Sequence, residues 1–163
     1  MAHQVESMAY AGETPWHGLG TKVSNDLSVD EMLKASGLNW KVNALPVVGK
    51  METGEEIESD HKMLVREGDN KWNPVQNHEA FDFFREFTDQ GSMEMHTAGS
   101  LQGGKWVWVL AKVAESFELF GGDKVDSYLL FSNPHIYGRG VEIRFTPTRV
   151  VCNNTLNLSL GTS

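Results

Sequence analysis

Several features that assign a protein to a class are scarce or missing in this sequence. The chain has a single cysteine in 163 residues, Cys152, which excludes an internal disulfide and a cysteine-rich zinc site. No apolar run approaches the roughly 20 residues that a membrane helix needs. The N-terminus also lacks the basic and apolar pattern of a secretory signal. We therefore expect a soluble protein of the cytoplasm with no membrane association.

Positive charge is also in short supply. The chain has 14 Lys and Arg residues against 22 Asp and Glu residues, a net charge of −8. This balance opposes nonspecific binding to a phosphate backbone unless a local basic face survives. The densest acidic run consists of Glu52, Glu55, Glu56, Glu58 and Asp60. The basic residues that cluster late in the chain are Arg139, Arg144 and Arg149.

The hydrophobic pattern predicts two helices in the first 90 residues. Ser28 and Glu31 form the signature of a capping box, and Gly37 is suited to ending the helix that follows. A second helix is predicted over residues 78–90, with Asn77 as its cap. Its apolar face is predicted to pack on a sheet and contains Phe81, Phe84 and Phe87.

After residue 92 the hydrophobic residues recur with a period of two, as they do in β-strands. This pattern predicts strands over 93–98, 105–113, 125–132 and 141–146. Residues 105–113 are apolar on both faces, so we place them at the centre of a sheet. An earlier strand pair, 40–48 and 62–67, flanks an acidic loop at 49–60, and residues 1–27 are predicted to be irregular. A helix is favoured at 149–160. We expect residues 1–163 to form one α+β domain, an antiparallel β-meander with helices packed on one face.

Local signatures of catalysis are missing. The six histidines show no metal-ligand spacing, and a lone cysteine is more often packed than catalytic. The segment GSLQGGK at 99–105 departs from a phosphate-binding loop and is better explained as a hairpin turn. We therefore expect no metal, no cofactor and no enzymatic activity. A site assembled from distant residues such as His17, Cys152 and Asn153 is the weaker alternative.

Four sequence blocks resemble a known family when taken in order. They are MAYAGETPWHGLG at Met8–Gly20, NHEAFDFF at Asn77–Phe84, TAGSLQGGKWVWVLAKV at Thr97–Val113, and TPTRVVCNNTLNLSL at Thr146–Leu160. The chain is similar to a phage- and plasmid-borne family whose domain has no assigned function. Members of that family are commonly about twice as long. This chain is therefore expected to be either a natural short form or a segment of a longer protein.

The resemblance implies a protein of a mobile element, and our first hypothesis is single-stranded DNA binding and annealing in recombination. The expected layout is similar to that of phage single-strand annealing proteins, which assemble into rings or filaments and bind single-stranded DNA along a basic groove. This similarity is one of architecture alone. In this hypothesis a homo-oligomer binds single-stranded DNA. The phosphate contacts would be Lys105, Arg139, Arg144 and Arg149, and Tyr137 would stack on a base.

The alternative hypothesis is an inhibitor that binds a host defence protein of the type that anti-CRISPR proteins block. Its acidic surface would occupy a nucleic-acid groove of that protein by charge complementarity. The contact residues would be Glu52, Glu55, Glu56, Glu58 and Asp60. A simpler interpretation of this run is a solvated loop that is acidic for solubility.

Overall fold

The computed structural model describes residues 2–65, 74–118, 121–122, 124–136 and 138–161. The helices are α1 (Val29–Ala35), α2 (Asn77–Asp89) and α3 (Asn153–Leu160), after a 3-10 turn at Ala2–Gln4. The first strands are β1 (Val5–Tyr10), β2 (Thr21–Lys22), β3 (Asn43–Lys50), β4 (Glu56–Val65) and β5 (Met93–Leu101). The later strands are β6 (Trp106–Val113), β7 (Phe117–Glu118), β8 (Lys124–Val125), β9 (Tyr128–Pro134) and β10 (Glu142–Thr146).

A six-stranded sheet in the order β10-β9-β6-β5-β1-β2 organises the fold. Strands β5, β6, β9 and β10 run antiparallel to their neighbours, which confirms the predicted α+β class and its meander. The outermost pair, β1 and β2, is parallel, so the sheet is mixed. Strands β3 and β4 form a separate hairpin, and β7 and β8 form a second small one.

Strand β6 lies at the centre of the sheet, as its two apolar faces predict. Trp108 and Leu110 are buried on one face, and Val107 and Val109 are buried on the other. Both of its edges are paired, with β5 on one side and β9 on the other. A strand that is buried on both faces has no solvent-exposed face that would be polar. Alternation of polar and apolar residues is therefore weak in β6.

Helices cover both faces of the sheet. Phe81 and Phe84 of α2 pack with Met32 of α1 on the Val107 face. Leu156 and Leu160 of α3 pack on the Trp108 face. The expectation of helices on one face therefore holds for α1 and α2, whereas α3 lies opposite. An apolar stripe on each side of a sheet must be covered if it is to be removed from water.

The two helix starts differ in how well the sequence predicted them. Ser28 and Glu31 form the predicted capping box. The helix α2 is capped by Gln76 and not by Asn77, and the Gln76 N–H donates to Glu79 Oε2 at 2.6 Å. The Asn77 amide is buried instead and donates to the Leu38 carbonyl at 3.0 Å. Because the Asn77 side chain forms a hydrogen bond to a residue outside α2, it is not available to cap its own helix.

The prediction that residues 1–27 are irregular is wrong for two segments, the short strand β2 and the longer strand β1. Residues Val5–Tyr10 form β1, which pairs with β5 so that Ala9 lies opposite Ala98. The three residues at the end of the strand are all buried, so the segment lacks the alternation that marks a strand. A distant partner strand gives this segment its structure.

The acidic loop predicted at 49–60 is a shorter turn. Strand β3 extends to Lys50 and β4 begins at Glu56, so only residues 51–55 connect them. The tail forms α3, as favoured by the sequence.

Among the described residues, no helix has the length and apolar character to cross a membrane.

Candidate functional site

The structure divides the predicted basic residues between two ends of the sheet. Lys105 lies in the turn before β6, and Arg139 follows β9 at the same end. Arg149 instead lines a cleft with Lys112, near the far end of β6. Strand β6 has eight residues, which places the two ends about 25 Å apart. Of the residues predicted to bind DNA, Arg149 therefore does not share one groove with Lys105 and Arg139.

Two tryptophans flank the turn between β5 and β6. Trp106 packs with the Trp108 face of the sheet, and Trp40 packs with the opposite face. A Cβ placed on Gly104 would lie only 3.2 Å from the Trp40 ring, so that ring lies close against the turn. Both indoles are partly exposed. They give this end of the molecule two aromatic surfaces that reach solvent.

Arg139 adds a cation to one of these aromatic surfaces. Its guanidinium carbon lies 5.3 Å from the centroid of the Trp106 ring, within the range of a cation–π contact. The Trp106 indole is held in place because its Nε1 donates to Ser132 Oγ at 2.7 Å. Arg139 itself is exposed and borders a cavity of about 220 Å³. The guanidinium therefore keeps donors available to solvent.

His135 ties the Arg139 loop to the turn. Its backbone N–H donates to the Lys105 carbonyl at 2.8 Å, and its Nδ1 lies 3.0 Å from the Gly104 carbonyl. Burial lowers the pKa of His135, and the carbonyls of Gly104 and Val75 partly offset that effect. The imidazole is thus a neutral structural link at pH 7. It positions Lys105 and Arg139 without adding charge.

Lys41 joins this group from a third segment. It is exposed and adjacent to Trp40, whereas the carboxylate of Glu6 lies beside Gly104. We call the set the turn platform; it consists of Trp40, Lys41, Lys105, Trp106 and Arg139. Sequence reasoning missed Trp40 and Lys41, because only the fold brings residues more than 60 positions upstream to this turn. The sole sequence signal for these two residues was that an aromatic and a basic residue are adjacent.

Arg144 is not a member of the turn platform. Arg144 lies on β10, where its guanidinium forms a 2.6 Å ion pair with Glu142. Both side chains are 43% exposed, so solvent screens the pair, but their charges cancel locally. Tyr137 lies outside the described residues.

Arg149 makes its hydrogen bonds within the chain. Its Nε donates to His96 Nε2 at 2.9 Å, and its Nη2 donates to the carbonyls of Ala11 at 2.9 Å and Glu13 at 2.6 Å. These bonds join the segment after β10 to β5 and to the segment after β1. We therefore assign Arg149 to holding the fold together.

The cleft around Arg149 has a volume of about 290 Å³ and contains an ion pair. Lys112 contacts Asp126 at 2.9 Å. Burial and the positive charges of Arg149 and Lys112 lower the pKa of His96 to about 4, and Asp126 opposes this effect. Burial raises the pKa of Tyr128 in the same cleft. Since the Nε2 lone pair of His96 already accepts from Arg149, the imidazole has no free base nitrogen for proton abstraction.

Three of the sequence blocks meet next to this cleft. Thr97 Oγ1 donates to the Val150 carbonyl at 2.6 Å and accepts from Trp108 Nε1 at 3.1 Å. His17 Nε2 lies 3.0 Å from the Val151 carbonyl. These contacts give the blocks a structural role, because they join the segment after β1 and strands β5 and β6 to the segment before α3. Within the described residues, no three His, Cys, Asp or Glu side chains come together as metal ligands would.

The acidic run lies on the β3–β4 hairpin. Glu52, Glu55 and Glu56 are exposed around its turn. Glu58 and Asp60 belong to β4, and their side chains lie outside the described part of the structure. Three exposed apolar side chains accompany the acids: Val48, Met51 and Ile57. The hairpin thus presents a mixed acidic and apolar surface.

Comparison with known proteins identifies a family for the chain. A search of curated proteins and a search of solved structures both found no match. The family model described as a domain of unknown function, DUF932, matches residues 67–163, from just before α2 through α3. Since this match spans more than half of the sequence, the chain belongs to the DUF932 family.

Proposed function

We propose that this chain is a mobile-element protein that binds single-stranded DNA at the turn platform and promotes annealing without catalysis. The observation that carries the proposal is that two partly exposed tryptophans, one on each face of the sheet, flank a turn at one end of it, where Lys105 and Arg139 are exposed and where exposed Lys41 adjoins Trp40. The cations come from three separate segments, at Lys41, Lys105 and Arg139. The resemblance of the four sequence blocks to a phage- and plasmid-borne family supports the mobile-element assignment.

The chemistry of the turn platform suits a single strand better than a duplex. Unpaired bases can stack on indole rings, and each stacked base contributes about 1–3 kcal/mol. Lysine and arginine neutralise phosphates beside the bases. In a duplex the bases are stacked on each other and unavailable. The net charge of −8 repels a long polyanion elsewhere on the surface, so we expect a short contact.

Annealing requires strands that are held and extended, and it requires no covalent step. The cleft at His96 fits that requirement, because His96 is engaged with Arg149 and Lys112 is paired with Asp126, so these four groups are not arranged as an acid, a base and a nucleophile. We therefore propose a binding role and no enzymatic activity.

The test is fluorescence anisotropy with a labelled single strand of about 30 nucleotides at two salt concentrations. We expect the double variant Lys105→Glu/Arg139→Glu to bind at least about 10-fold more weakly than the wild type. The reason is that two side chains that attract phosphates become negatively charged and repel them. The control is Lys124→Glu, which reverses an exposed charge on β8 outside the turn platform. Circular dichroism verifies that all variants fold.

Three results would contradict the proposal. They are no binding by the wild type at low salt, an equal loss of affinity in the control, and affinity that does not depend on salt. A second readout is tryptophan emission, which we expect DNA to quench through Trp40 and Trp106. Replacing Trp106 with Leu should reduce that quenching.

A second candidate function is binding of a host defence protein by the β3–β4 hairpin. The observation in its favour is the exposed set of Glu52, Glu55 and Glu56 next to exposed Met51 and Ile57. The negative charges of the glutamates would attract the hairpin to a basic groove of the partner protein, and the apolar side chains can be buried in the contact. Reversing all three glutamates to Lys should abolish co-purification of a partner. Reversing the exposed α2 residues Glu86 and Asp89 should not.

A further inference from the structure

Strand β10 forms one edge of the main sheet. It pairs with β9 on one side, and no strand of the described residues pairs with its other side. An open edge presents backbone N–H and C=O groups that can bind another strand. Natural proteins usually protect such an edge with charges, a proline or a bulge.

The exposed residues around β10 do not provide that protection on one face. Val141, Ile143 and Phe145 are 36%, 46% and 69% exposed, so an apolar stripe reaches solvent at the edge. Ile143 lies opposite Phe131 of β9, which places the stripe next to the aromatic cluster under α2. Such a stripe on an open edge indicates a surface that is covered by a partner strand.

The opposite face of β10 carries one acid and one base, two residues apart. Glu142 and Arg144 lie on either side of Ile143 and contact each other at 2.6 Å. The sequence VEIRF at 141–145 therefore has opposite charges placed symmetrically about its central residue. An antiparallel strand of the same sequence would place each charge opposite its complement.

We propose that two copies of this chain pair through β10 in an antiparallel, two-fold symmetric contact centred on Ile143. In this register Ile143 lies opposite Ile143 of the second copy, and Val141 lies opposite Phe145. Glu142 lies opposite Arg144 of the second copy, twice by symmetry. Opposite charges and apolar pairs at directly facing positions both stabilise a sheet. The pairing joins two six-stranded sheets into one sheet of twelve strands.

The size of this contact determines how it will behave in solution. A pairing over five residues with three apolar side chains per copy is at the low end of specific interfaces, so the dimer should depend on concentration. The dimer would also carry two turn platforms, which would raise the affinity for one long strand through effective concentration. The pairing itself does not depend on DNA binding by the turn platform.

The first experiment is sedimentation velocity at loading concentrations from about 5 to about 200 µM. We expect the wild type to shift from monomer to dimer within this range. Each single variant, Glu142→Arg and Arg144→Glu, places like charges opposite each other in the dimer and should remain monomeric. The double variant Glu142→Arg/Arg144→Glu restores both facing pairs and should dimerise again.

A matched pair of variants tests the apolar stripe. Phe145 on β10 and Leu158 on α3 are both 69% exposed. Phe145→Ser should abolish dimerisation, whereas Leu158→Ser should leave it unchanged. A wild type that is monomeric at every concentration overturns the proposal. So does a dimer that survives Phe145→Ser, or a double charge variant that remains monomeric while it is folded.

A covalent test checks the register directly. Ile143→Cys in a Cys152→Ser background places a thiol from each copy at directly facing positions, where Cα atoms lie about 4.5–5.5 Å apart and a disulfide can form. Mild oxidation, which removes two electrons and two protons from the thiol pair, should give a disulfide-linked dimer. Leu158→Cys in the same background should stay monomeric. Equal cross-linking of both variants would refute the register.

Discussion

The side chain of Arg149 donates from Nε to Nε2 of His96 across 2.9 Å, and it thereby joins the segment after β10 to the middle of β5. The contact requires an imidazole whose Nε2 carries no proton. A protonated His96 would present an N–H to the guanidinium and would add a second positive charge. The domain is thus closed by a bond that exists only while His96 is neutral.

This relationship predicts that the fold weakens in mild acid. The pKa of His96 is lowered from 6.5 to about 4, so between these pH values the unfolded chain takes up a proton that the folded chain does not. The stabilisation is fully present above pH 6.5 and is lost as the pH falls towards 4. Allowing for partial solvent exposure, we expect a loss of about 2 kcal/mol from this site. Urea unfolding at a series of pH values measures it.

The control for the pH prediction is a pair of substitutions. His96→Gln keeps an oxygen that can accept from Arg149 and does not titrate, so it should flatten the stability profile between pH 6.5 and 4. His78 is exposed on α2, and His78→Gln should leave the profile of the wild type unchanged. A profile that stays equally steep in His96→Gln would show that other groups cause the slope.

Arg149→Lys should destabilise the protein without weakening DNA binding. Lysine cannot donate simultaneously to His96 and to the carbonyls of Ala11 and Glu13 in the arginine geometry. We expect a loss of about 1–3 kcal/mol in the free energy of unfolding, since hydrogen bonds to a charged group are broken. The affinity for a single strand, measured below the melting temperature, should change less than twofold. A large loss of affinity would instead place Arg149 in the DNA contact.

Gly99→Ala should be strongly destabilising. A Cβ at this position in β5 would lie 2.5 Å from the Trp108 ring and 2.6 Å from Met8 Cβ, and it would also meet the Ser7 carbonyl. Neither the backbone of β1 nor a fully buried indole can move away cheaply, so we expect a cost of about 3 kcal/mol or more. Thermal and urea unfolding would measure it.

Gly140→Ala is the matched control for that substitution. No atom lies within 4 Å of a Cβ built on Gly140, and its backbone is outside the left-handed region. The change should therefore stay within about 0.5 kcal/mol. Equal effects at positions 99 and 140 would contradict the close contact between β1 and β5.

Phe84→Ala tests the packing of α2 on the sheet. Phe84 is fully buried and contacts Phe83 and Phe131, so its loss should cost about 3–5 kcal/mol. Phe87 on the same helix is only partly buried, and Phe87→Ala should cost clearly less. A cost below about 1 kcal/mol for Phe84→Ala would show that α2 is peripheral to the core.

The local parts of the fold could be predicted from the sequence, because short-range chemistry decides them. The capping box at Ser28 and Glu31 satisfies backbone donors within one helical turn. The apolar faces of β6 and the glycines at 103 and 104 similarly predict a central strand after a tight turn. The β1 strand escaped prediction because its structure depends on a partner more than 80 residues away.

The sequence by itself determined the fold class, the helices α1 and α2, the central strand and an acidic net charge, since periodicity, caps and composition are properties of neighbouring residues. Only the tertiary structure decided which charged residues act together. It placed Trp40, the sequence neighbour of Lys41, against the turn that contains Lys105, it engaged Arg149 with His96, and it left β10 at an edge that no other described strand pairs with. The physical reason is that these relationships join segments tens of residues apart, and long-range strand pairing and burial determine which segments meet.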